Sequence, residues 1–127
     1  MKTRWLDRRI AAPGPHLALC LSEDEFRAAL RHLKVQDAGP WISNEHSSAT
    51  AHHIRGSDGR AVVVVCLSDW QGRSPIEVAG LLVHEAVHVW QGYCEDIGEE
   101  KPGSEQEAYA IQSIAQELMA EFARRQE

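Results

Sequence analysis

Three features of this 127-residue chain predict an α+β fold. The first is a β-branched run, Arg60 to Leu67 (RAVVVVCL), reached through a Gly56-Ser57-Asp58-Gly59 turn. The second is a set of three segments, each opened by a serine, whose apolar residues recur at helical spacing. The third is length, which suits one hydrophobic core and therefore a single domain over residues 1–127. A small antiparallel sheet or hairpin packed on three main helices satisfies all three.

The chain opens with a stretch to Leu21 in which Trp5, Leu6 and Ile10 suit a short strand or packing arm, broken at Pro13-Gly14-Pro15. Leu17 to Leu21 (LALCL) reads as a short strand or extended lead-in. Ser22-x-x-Glu25 is a capping box, and Phe26, Leu30 and Leu33 mark a helix running up to Gly39-Pro40. His32, between Arg31 and Lys34 in that neighbourhood, belongs on its surface. Ala49 to Ile54 predicts a strand that pairs with the β-branched run as a hairpin over a four-residue loop. Ser68 to Arg73 is then a loop.

Ser74 and Pro75 open the next helix as N-cap and first helical residue, with Glu77 completing a capping box. Gly92 or Gly98 ends it. Ile76, Val78, Leu81, Leu82, Val83, Val87, Val89 and Trp90 cover nearly its whole circumference, the pattern of a buried central helix. An acidic, turn-rich connection follows, and Ser104-x-x-Glu107 reads as a third capping box. Ile111, Ile114, Ala115, Leu118, Met119 and Phe122 then form one apolar stripe.

A net charge of −6 argues against nucleic acid as a partner, because phosphate binding needs a basic surface, and Arg4, Arg8 and Arg9 are too few to reverse it. No signal-peptide pattern opens the sequence, and the longest apolar run, Ala61 to Leu67, falls far short of a membrane span. Three cysteines, Cys20, Cys66 and Cys94, lack C-x-x-C spacing and sit among apolar neighbours. They read as buried free thiols in a reducing cytoplasm.

Within the second helix, His84, Glu85 and His88 spell H-E-x-x-H. Residues four apart on a helix stand one turn above each other, with β-carbons about 5–6 Å apart, so two imidazoles there can share one metal ion. Glu85 projects to one side of the pair, where it can reach water at the metal without capturing the ion. Zinc needs a third protein ligand and an open position. The last helix offers Glu105 and Glu107, and periodicity places Glu107 on the flank of its apolar stripe and Glu105 at the edge.

H-E-x-x-H followed by a helix carrying Glu-x-x-Ala resembles the gluzincin branch of zinc metallopeptidases. Glu105, Ala108 and Tyr109 in GSEQEAYAIQ match the segment that bears the third ligand in that family. The resemblance implies Zn²⁺ held by His84, His88 and Glu105, with Glu85 as catalytic base. Tyr109 departs from the Asp often found there to support a zinc-bound histidine, and Gln112 stands one turn on. VHEAVHVWQ and EAYAIQ are also similar to segments of small phage- and prophage-encoded metallopeptidases, a likeness covering mainly residues 60–120. Together these imply a compact zincin-like α+β domain that hydrolyses a peptide or protein substrate. His46, His52, His53 and Tyr93 are the candidates for a second donor to the oxyanion, and the strand at His52-His53 is a candidate edge for pairing with substrate. The alternative of a different class is a non-catalytic metal-binding module that presents its helices to a partner.

Overall fold

The computed structural model describes residues 14–127. The segment predicted around Trp5, Leu6 and Ile10 lies outside them. Six elements follow one another: β1 (His16–Cys20), α1 (Glu23–Leu33), β2 (Ala49–Arg55), β3 (Ala61–Leu67), α2 (Pro75–Ile97) and α3 (Ser104–Arg125). The α+β class is therefore as expected.

The β-branched run takes the centre of the sheet, in the order β1-β3-β2. Val62 through Leu67 are all buried, as a strand covered on both faces requires. β2 and β3 form the expected antiparallel hairpin, closed by the Gly56 N–H donating to the Arg60 carbonyl at 2.9 Å. Gly59 in that turn has φ 85°, a conformation open to glycine.

The expected antiparallel sheet needs correction, because β1 runs parallel to β3 and the sheet is mixed. After β1 the chain crosses through α1, reverses along β2 and returns along β3, so the outer strands flank β3 in opposite senses. A five-residue run such as HLALC carries no signal of direction. Its partner is chosen by packing far along the chain.

Alternation along the strands divides the core in two. Val63, Val65 and Leu67 join Leu19 and Leu21 against Val78, Leu82, Ala86 and Val89 of α2 and Ala115 and Leu118 of α3. On the opposite face Cys20, Val62, Val64 and Cys66 pack on Phe26 and Leu30 of α1. Arg125 donates to Glu25 at 2.7 Å, tying the end of α3 to α1.

The caps of α1 and α2 follow the sequence. Ser22 accepts from the Glu25 N–H at 3.2 Å, and Ser74 and Glu77 exchange both bonds of the capping box. α2 ends at Gly98 with φ 74°, not at Gly92. α1 stops at Leu33, short of Gly39-Pro40, because Lys34 turns left-handed at φ 59° and Val35 N–H bonds back to Leu30 O at 3.0 Å.

Two further expectations are corrected. Gly103 is the N-cap of α3 and makes no side-chain cap bond, so the Ser104–Glu107 box does not form. The Glu107 carboxylate accepts instead from Trp90 Nε1 at 2.8 Å, a tertiary bond in place of a local one. Nor is α2 buried all round: Ile76 is 84% exposed and Val83 40%. A three-stranded sheet and one neighbouring helix cover only part of a 23-residue helix. The uncovered side is where the histidines stand. Among the described residues no helix is long and apolar enough to cross a membrane.

Leu82 is fully buried where α2 meets the sheet. Leu82→Ala is expected to cost about 2–5 kcal/mol in urea unfolding, while Ile76→Ala stays within about 0.5 kcal/mol. Equal losses at the two positions would contradict the packing described.

Candidate metal centre

α2 advances about 100° per residue, so positions 84, 88, 91 and 95 fall on one stripe of the helix. That stripe carries His84, His88, Gln91 and Glu95, all exposed. Glu85, about 100° round from His84, turns inward and is only 4% exposed. Val89, Leu82 and Ala86 continue into the core.

The two imidazoles face each other, with Nε2 of His84 and Nε2 of His88 3.2 Å apart. Two Zn–N bonds of about 2.0–2.1 Å at a tetrahedral angle would hold their nitrogens about 3.3 Å apart. The observed separation fits one edge of such a site, and it is also the length of the hydrogen bond that the two rings make with each other in the ion-free chain. His88 Nδ1 lies 3.1 Å from Gln91 Oε1. With Nδ1–H donating to that amide oxygen, Nε2 of His88 keeps its lone pair for a cation. Gln91 did not figure among the sequence candidates. Its signal was its place three residues beyond His88, on the same stripe.

Glu85 links this stripe to the sheet edge. The ladder bonds Ser68 N–H to Ser48 O and Gly56 N–H to Arg60 O fix the phase of the β2–β3 pairing. Even-numbered residues of β2 are then bonded to β3, and Ala49, Ala51 and His53 turn their backbone groups to the outer edge. The Ala51 N–H on that edge is near enough to the Glu85 carboxylate to favour its ionised form. Burial pushes the Glu85 carboxyl above the usual carboxylate range, opposed by His88, His84 and the Ala51 N–H.

A cleft of about 660 Å³ runs between β2 and α2, with His53, His84, Glu85, His88 and Gln91 among its walls. Among the described residues no Lys or Arg lines it. β2 has a strand neighbour on one side only among the described residues, so its outer edge borders the cleft.

The four donor candidates separate by strand alternation. His53 faces α2, with Nε2 3.2 Å from the His88 carbonyl oxygen. Its neighbour His52 faces the other way, stacked on Phe26 at 4.5 Å with Nε2 2.8 Å from the Trp41 carbonyl. That ring is committed to the α1 side of the sheet. His46 stands in the preceding loop beside Glu45, and Tyr93 packs against Trp90; neither lines the cleft.

Neither candidate third ligand lies in the cleft. Glu105 is exposed in the first turn of α3, and Glu107 is held by Trp90. Trp90 is two residues beyond His88 and so about 200° round the helix, which puts that contact on the far side of α2. Among the described residues no group of three His, Cys, Asp or Glu side chains gathers closely enough to hold one ion. The donor set brought together is thus two imidazoles, with a carboxyl beside them. Comparison of the chain with protein-family models, curated proteins and solved structures finds no match.

Gly92 permits the His53 ring to lie against α2, since a Cβ added there would lie 2.2 Å from His53 Nε2. The obstacle is the tip of an exposed ring, which can rotate away, and alanine favours the helix by about 1 kcal/mol. Gly92→Ala should therefore keep or raise the melting temperature while detaching His53 from the His88 carbonyl. Imidazole ¹⁵N shifts would report it; an unchanged His53 Nε2 environment contradicts the contact.

Proposed function

We propose that the protein is a metal-dependent peptidase in which His84 and His88 hold a divalent cation, zinc by preference, and Glu85 is the general base. The reading is carried by the two Nε2 atoms 3.2 Å apart beside a buried carboxyl, on the wall of a cleft bordered by a strand edge. Such a cation supplies Lewis acidity, polarising a carbonyl and easing deprotonation of water.

The remaining steps belong to the chain. Glu85 takes a proton from the attacking water and returns it to the departing amine. Its burial helps, because a carboxyl with a raised pKa is a stronger base when ionised. The Ala51 N–H orients the carboxylate, and Gln91 fixes the tautomer of His88. An extended peptide laid along β2 would meet the outward backbone groups of Ala49 and His53, on the strand that carries the Glu85 contact. Of the four donor candidates, His53 lines the cleft with the histidine pair. Glu105 is our choice for the third ligand and Glu107 the alternative; either would have to leave its present position. The zincin-like fold is part of the same proposal.

Three measurements test this reading. Glu85→Gln should retain stoichiometric zinc and lose about 10²–10⁴-fold in hydrolysis of a generic peptide; full residual activity removes Glu85 from its role. If the native chain binds zinc and cleaves no peptide, the non-catalytic metal module is the better reading. Gln91→Ala should weaken zinc about 10–100-fold by freeing the His88 ring, and unchanged affinity would contradict the role given to Gln91. Glu105→Ala should lose zinc, whereas Glu107→Ala keeps it and loses stability through the freed Trp90; equal retention in both sinks the third-ligand assignment.

A further inference from the structure

Cys20 and Cys66 take no part in the cleft, and their placement is specific. They are direct partners in the parallel β1–β3 register. Both belong to the apolar layer under α1, so both side chains leave the sheet on the same face. Cys20 is 4% exposed and Cys66 fully buried.

Adjacent strands lie about 4.8 Å apart, inside the Cα separation of about 4.4–6.8 Å that a disulfide spans. The two thiols are close enough to perturb each other's titration. We propose that Cys20 and Cys66 form a reversible modification site, a dithiol that a low-molecular-weight disulfide oxidises to a staple between β1 and β3. The inference rests on strand register and is independent of the peptidase reading.

The chemistry follows from the asymmetry of the pair. Cys66 is on the central strand and fully buried, whereas Cys20 retains 4% exposure. Cys20 is also on an edge strand, with β3 on one side only among the described residues. Fraying of the end of β1 from β3 exposes it while the β2–β3 pair stays closed. The Cys20 thiolate attacks one sulfur of the oxidant, forming a mixed disulfide and expelling the other half as thiolate. Cys66, as its thiolate, then attacks the Cys20 sulfur; the new S–S bond forms and the second half leaves. Two protein thiols are oxidised, one small disulfide is reduced to two thiols, and the two protons released by the protein end on those thiols.

The bond opens again when a reducing thiol attacks it by the same exchange run backwards. Cys94, on α2 beside α3, belongs to neither partner strand.

The test uses the full native chain equilibrated to constant composition in mixtures of reduced and oxidised glutathione, then acid-quenched and alkylated. The three cysteines fall on separate tryptic peptides, residues 10–27, 61–73 and 74–124, so mass spectrometry identifies any link. The expected product joins 10–27 to 61–73, grows as the mixture becomes more oxidising, vanishes with dithiothreitol, and leaves Cys94 alkylated. Cys66→Ser should stop at a glutathione adduct on Cys20. Persistent free thiols, stable glutathione adducts in the native chain, or a link through Cys94 would overturn the proposal.

Discussion

A buried carboxyl beside one backbone N–H stands where the two walls of the cleft meet. Glu85 leaves the histidine-bearing helix, and Ala51 belongs to the sheet edge opposite. The apolar packing of Val78, Leu82, Ala86 and Val89 on the sheet fixes how α2 lies along it, and so sets the width of the cleft that Glu85 lines. Burying a carboxyl costs free energy unless it finds partners. One N–H and two neighbouring imidazoles are what this fold provides.

The rest of the scaffold keeps that packing in place. β3 supplies a central strand buried on both faces, and each face anchors a helix layer. α2 is locked at both ends, by the Ser74–Glu77 box and by the left-handed Gly98. Gly92 lets the His53 ring come down onto the helix. The cleft is therefore framed by ordered elements along β2 and α2.

Much of this was legible in the residues. Ser74-Pro75 with Glu77 announced the start of α2, because capping is a local bond between residues three apart. The β2–β3 hairpin was legible for a similar reason: its register follows from a four-residue turn. The direction of β1 was not, since it depends on where α1 returns the chain. The Ser104–Glu107 box failed because Trp90, seventeen residues away in sequence, offered Glu107 a tertiary partner. The wall-to-wall apolar pattern of α2 overstated its burial because periodicity counts residues, not the chain left to cover them.

At the site, H-E-x-x-H gave the facing of the two imidazoles directly, as a consequence of helical pitch. The separation of His52 from His53 was available from strand alternation, yet only the fold decides which face meets α2. The most direct test of the account is a crystal of the full chain grown with zinc and measured at the zinc absorption edge. It predicts a single anomalous peak about 2.0–2.1 Å from both His84 Nε2 and His88 Nε2. A peak elsewhere, or the two rings hydrogen-bonded to each other with no ion between them, would contradict it.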